Sequence, residues 1–191
     1  KYEVSLVVHE PIKDTGLRRT FPNMMSREGA KGQEFNGFMS SKDNNKPNHT
    51  TIIPFTRLLS SPMDYTPGIF NLVDYRYNSP EDRKINPNHR IPSTISKELA
   101  LYVVIYAPVQ MAADLPSNYE GNPAFQFILD VPTDWEETKV LNGEIGEFIT
   151  IARKDISSDS WYIGSITNED ERSIEIEMNF LNDNATYKAT I

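Results

Sequence analysis

The 191-residue chain has no cysteine, which excludes disulfides, thiolate metal sites and a cysteine nucleophile but leaves the compartment open. No apolar run approaches the roughly 20 residues that a membrane-spanning helix needs. Cations are scarce: 19 Lys and Arg against 27 Asp and Glu give a formal net charge of -8. Phosphate binding needs clustered Lys and Arg, so the balance argues against a nucleic-acid partner and fits neutral sugars or cations better. Gly-rich phosphate loops, serine-hydrolase elbows, zinc motifs, internal repeats and low-complexity segments are also missing. The chain opens on Lys1-Tyr2-Glu3 without an initiator Met and closes inside an alternating pattern, Thr186 to Ile191. A fragment of a longer protein is expected.

What is present falls into two textures. Residues 2 to 8 read as a buried strand, and Leu17 to Asn23 as a further extended segment. Apolar spacing over Thr50 to Leu59 predicts a helix with Pro54 in its first turn. Residues 62 to 68 read as a strand end and a turn, and 71 to 93 as a long loop. Ser96 to Ala113 carries the strongest helical pattern, to be kinked or broken at Pro108. A short helix follows at Pro123 to Leu129. After Pro132 the pattern becomes alternation, as in Phe148 to Arg153 and Ser173 to Phe180, with turn signals at Asn142-Gly143 and Asn182 to Asn184. That predicts antiparallel sheet and a domain boundary near residue 133.

Chemistry concentrates near the start, where three glutamates lie between His9 and Phe35. Glu10 ends the apolar run Val4, Leu6, Val7, Val8; Glu28 sits in Arg27-Glu28-Gly29; Glu34 follows Gly32-Gln33. A barrel strand that delivers a carboxylate at its carboxyl end has this form, so Glu10 is the first candidate acid or base. The segments HEPIKDTGLRRTFPNMMSREGAKGQEF, HTTIIPFTRLLSSPMDYTPGIF and LALYVVIYAPVQMAAD resemble the second half of the catalytic domain of glycoside hydrolase family 97. The likeness continues through FQFILDVPTDWEET and GEFITIARK into WYIG, in order and with similar gaps. The inverting alpha-glucosidases of bacterial starch utilisation look closest.

The resemblance implies an α/β plus all-β architecture. Residues 1–132 would be the C-terminal part of a (β/α)8 TIM barrel, and 133–191 the start of an incomplete antiparallel β-sandwich. It implies Glu34 as general acid and Glu10 as general base, the two carboxyls that inverting glycoside hydrolysis requires. It further implies a calcium ion held by Glu10, Glu28 and Glu34, since a hard cation favours carboxylate oxygens and offsets their repulsion. Retaining members carry Gly at the Glu10 position, so Glu10 favours inversion over the retaining alpha-galactosidase alternative. The implied substrate is a starch-derived oligosaccharide cut from the non-reducing end, and the implied location is the periplasm. The rest of the barrel and an N-terminal domain would belong to the same full-length enzyme. A noncatalytic carbohydrate-binding module is the rival of another class, disfavoured because binding alone needs no acid, base and metal cage together.

Other residues carry narrower expectations. His9 can donate to a sugar hydroxyl or serve as a satisfied core histidine, and Tyr65 can line a sugar subsite. Asp64 is expected to make a supporting hydrogen bond rather than act on substrate. Arg18, Arg19 and Lys31 are expected to pair with nearby glutamates and position their loop. His49 and His89 are read as solvated, and Trp135 and Trp161 as buried rather than stacked on sugars.

Overall fold

The computed structural model describes residues 3–9, 12, 14–38, 45–73 and 90–191. Strand β1 (Leu6–Val8) pairs in parallel with β2 (Met24–Arg27), Leu6 lying opposite Met24 and Val8 opposite Arg27. A parallel bridge from Arg27 to Met63 widens this layer, and the Met63 N–H donates to the Tyr106 carbonyl at 3.0 Å. Parallel segments end on the same side, so the residues that follow them are delivered to one rim.

Between β1 and β2 the chain does not run extended as expected. Leu17–Arg19 forms a 3-10 turn, closed by the Arg19 N–H on the Gly16 carbonyl at 3.0 Å. Helices α1 (Phe35–Phe38) and α2 (Pro47–Ile52) follow, the latter with Pro47 in its first turn. The helix expected over 50 to 59 instead breaks into 3-10 turns at Ile53–Phe55 and Arg57–Leu59, with Thr56 between them at φ -130°. Pro54 supplies no N–H to continue the α-helical ladder.

Helix α3 (Ile95–Val104) begins at Thr94, whose side chain accepts from the Lys97 N–H, and ends well before the expected Ala113. Ile105 is already extended, and Tyr106 serves the parallel layer, so pairing and Pro108 together stop the helix. Short helices α4 (Pro116–Tyr119) and α5 (Phe125–Asp130) lead into the sheet.

Strands β3 (Trp135–Glu144), β4 (Phe148–Asp155) and β5 (Trp161–Thr167) form an antiparallel sheet with β4 in the middle. Asn142 and Gly143 were expected to turn, but they pair with Thr150 and Ile149 inside β3 and β4. The turn falls at residues 145–147 instead, because burial of Ile149 and Ile151 fixes the register from the β4 side. The alternating stretch 173–180 forms no ladder; its hydrogen bond to the sheet is Asn142 Nδ2 to the Glu175 carbonyl, 3.1 Å. The stretch pairs with neither edge strand of the sheet, β3 or β5.

One core joins the two textures. Met63, Tyr65, Leu101, Val104 and Ile105 pack with Ile149, Ile151 and Ile166 of the sheet. Helix α3 lies so close to β5 that a Cβ on Gly164 would stand 2.8 Å from the Ala100 carbonyl oxygen and 2.8 Å from Val103 Cβ. Arg153, whose pKa burial lowers to about 10, crosses this seam by donating from Nε to the Val103 carbonyl at 2.6 Å.

Candidate active site

Three residues stand just beyond the parallel segments: His9 after β1, Glu28 after β2 and Asp64 after Met63. The strand has ended at Val8, which frees the side chain of His9 from strict alternation. Its Nε2 donates to Asp64 Oδ2 at 2.7 Å. Its Nδ1 lies 3.5 Å from Glu34 Oε1 and 4.0 Å from Glu28 Oε2. Burial pulls the His9 pKa down, but the Asp64 hydrogen bond and charge, with the charges of Glu34 and Glu28, outweigh it and leave it raised.

The two glutamates differ in setting. Glu28 is 5% exposed, and its Oε1 accepts the Gly32 N–H at 3.3 Å, whereas Glu34 reaches into solvent. One ligand atom from each of His9, Glu28 and Glu34 can be chosen so that all lie within 4.8 Å of one another. Two of the three are carboxylates, which suit a hard divalent cation, and the third is an imidazole nitrogen, a donor outside the oxygen set that calcium favours. Glu10 and His89 lie outside the described residues.

Two buried side chains hold the loops that carry this group. Arg57 donates from Nε to the Glu28 carbonyl at 3.0 Å and from an Nη to the Arg27 carbonyl at 2.9 Å. Its other Nη reaches the carbonyl and the hydroxyl of Ser61, both at 3.0 Å, so one guanidinium ties the end of β2 to the turn before Met63. Glu98, fully buried on α3, accepts from Gln33 Nε2 at 2.9 Å, from the Gly68 N–H at 2.9 Å and from the Ser93 hydroxyl. Burial pushes the Glu98 pKa up against those hydrogen bonds and prevails.

Several expectations need correction. Tyr65 is 2% exposed and packs in the core, so its ring is not offered to a sugar; burial raises its pKa strongly. Arg18 pairs with Asp14 at 3.0 Å rather than with a glutamate, and Lys31 stands over the Phe35 ring. His49 is half-buried and hydrogen-bonded through Nε2 to the Lys31 carbonyl at 2.8 Å, not freely solvated. Trp135 and Trp161 are part-buried against Tyr162 and Phe180 respectively.

Comparison with known proteins establishes the family. A retaining alpha-galactosidase of Bacteroides thetaiotaomicron is 38% identical over 193 aligned positions, covering 100% of this chain and 28% of that protein. A glycoside hydrolase family 97 enzyme from Pseudoalteromonas sp. strain K8 superposes with a TM-score of 0.82 at 49% identity, over 95% of this chain and 27% of that one. The chain belongs to glycoside hydrolase family 97. Residues 134–191 match the family model for the glycosyl-hydrolase 97 C-terminal, oligomerisation region.

Solved forms of the Pseudoalteromonas family member include complexes with panose and with acarbose. A probable retaining alpha-galactosidase of Streptomyces bingchenggensis is 33% identical over 150 residues, 78% of this chain and 20% of its own length. This chain thus spans little more than a quarter of the first two relatives it matches. Within the family frame, Glu98 and Arg57 are the supporting residues that the pattern of apolar spacing did not flag. The available signal was an acid aligned with an apolar stripe, since Glu98 lies three and four positions before Leu101 and Tyr102.

Proposed function

We propose that this chain is the C-terminal part of a glycoside hydrolase that cleaves alpha-glucosidic bonds of starch-derived oligosaccharides from the non-reducing end with inversion. The observation that carries the reading is the placement of Glu28 and Glu34 around His9 Nδ1 at the rim where the parallel segments end. Glu34 is the general acid, consistent with its solvent-facing carboxyl, and Glu10 is the general base by its match to the inverting members. Residues 1–132 would belong to the (β/α)8 barrel and 133–191 to a β-sandwich. The rest of the barrel and an N-terminal domain complete the full-length periplasmic protein.

Glu10, Glu28 and Glu34 would hold a calcium ion. Bound there, the ion supplies positive charge that offsets repulsion among the carboxylates. His9 would contact a sugar hydroxyl from the same rim. Panose is an alpha-linked glucose trisaccharide, and its complex with the 49%-identical relative favours a glucosidic substrate.

The second reading is a retaining alpha-galactosidase, favoured by the names of the two curated relatives. Glu10, at the position where retaining members carry Gly, stands against it. Hydrolysis of alpha-glucosides and alpha-galactosides by the full-length protein, with the first-formed anomer followed by proton NMR, decides between them. The beta anomer released from an alpha-glucoside is expected; an alpha anomer released from a galactoside selects the second reading. Glu34→Gln should lose turnover on an aryl glucoside with a poor leaving group by about 100-fold or more. Near-normal turnover removes Glu34 from the acid role.

A further inference from the structure

Asp64 is 1% exposed, and each of its carboxylate oxygens has its own donor. The Thr66 N–H serves Oδ1 at 3.1 Å, and His9 Nε2 serves Oδ2 at 2.7 Å. The backbone N–H of Asp64 donates to the Arg27 carbonyl at 3.2 Å, which fixes the residue to the end of β2. A carboxylate can only accept, so the nitrogen that meets it must carry hydrogen. The opposite ring nitrogen, Nδ1, is the one that faces Glu34 and Glu28.

We propose that Asp64 is a positioning residue that sets the tautomer of His9, keeping a hydrogen on Nε2 and turning Nδ1 toward the Glu28 and Glu34 carboxylates. The ring orientation is thereby fixed, with Nδ1 held 3.5 Å from Glu34 Oε1 and 4.0 Å from Glu28 Oε2. The expected effect on turnover rests on the glycosidase reading above, whereas the tautomer rests on the Asp64 and Thr66 geometry alone.

Asp64→Asn gives a sharp test. The Thr66 N–H can only donate, so it retains the amide oxygen and leaves the amide NH2 facing His9 Nε2. Nε2 must then accept, and the ring hydrogen moves to Nδ1, where it faces the Glu34 and Glu28 carboxylates.

The experiment is NMR of 15N-labelled histidine in the full-length protein above the His9 pKa, with the signal assigned by its loss in His9→Gln. Expected are an Nε2–H tautomer in the wild type and an Nδ1–H tautomer in Asp64→Asn. Turnover on an alpha-glucoside should fall about 10- to 100-fold in kcat/KM, the range for partners that orient a functional histidine.

An Nδ1–H wild type, or an Nε2–H signal that persists in Asp64→Asn, overturns the proposal. A switched tautomer with unchanged kcat/KM overturns the positioning role. If the variant does not fold, the wild-type spectrum alone decides the tautomer. A wild type with the Nε2–H form and no turnover on any glycoside sinks the glycosidase reading and upholds the tautomer.

Discussion

Glu98 accepts a 2.9 Å hydrogen bond from the side-chain amide of Gln33, the residue immediately before Glu34. A buried acid on α3 thereby anchors the loop that carries the candidate general acid. The Gln33 N–H also donates to the Tyr65 carbonyl at 2.8 Å, so the loop is held at two points before Glu34 projects outward.

Replacing that acid should be costly. Glu98→Ala leaves the Gly68 and Ile69 N–H groups and the Gln33 amide without their acceptor. Unmade buried hydrogen bonds cost about 1 to 3 kcal/mol each, so a loss of at least about 3 kcal/mol is expected in urea unfolding. Glu98→Gln keeps one acceptor oxygen and should lose less. Equal stability of Glu98→Ala and wild type would remove the anchor role.

Gly29 provides a second test of loop positioning. It lies at φ +61°, and an added Cβ would stand 2.7 Å from Arg57 Nε. Gly29→Ala therefore meets backbone strain of about 1 to 2 kcal/mol as well as a clash with the side chain that holds Glu28. Lower stability with weaker turnover is expected, and Arg57→Lys should share the defect because an ammonium cannot reproduce the fork. Thermal unfolding with kinetics on the same samples checks both.

Lys97 predicts a pH dependence. Burial lowers its pKa to about 8, while Nζ donates to the Pro47 and Thr167 carbonyls at 2.8 and 3.2 Å. The folded state holds this proton less tightly than the unfolded chain, so the charged form costs stability fully below about pH 8. That cost is relieved as pH rises from about 8 toward the ordinary lysine value of about 10.4. Urea unfolding at both ends of the window should show a stability gain that Lys97→Met lacks. A difference between the two proteins that does not change with pH refutes it.

Removal of calcium should act on folding as well as on turnover. An ion that binds only the folded protein raises the melting temperature with its concentration. Chelation is expected to lower the melting temperature of the full-length protein, with calcium restoring it, and Glu28→Gln should move the calcium titration midpoint upward. Calorimetry that detects no calcium binding to the wild type removes the ion from the site.

Of the residues that the family-like segment brought forward, His9, Glu28 and Glu34 meet at one rim, while Glu10 lies outside the described residues. Their supports were not legible. Glu98 lies 65 positions from Gln33, Asp64 lies 55 from His9, and Arg57 lies 29 from Glu28, distances at which no local spacing rule operates. Tyr65 misled for a related reason. A tyrosine beside a strand end can face the rim or the core, and only the packing of Met63, Leu101 and Ile149 around it decided for the core.

By itself the sequence determined the acidic character, the absence of thiol chemistry, the family likeness and the change from helical to alternating texture near residue 133. Those are properties of composition and short-range order, which a chain carries before it folds. The tertiary structure decided where helices stop, which register β3 and β4 take, and which polar side chains are buried as partners. These follow from competition between distant segments for the same core and the same hydrogen-bond donors, settled only when the segments meet.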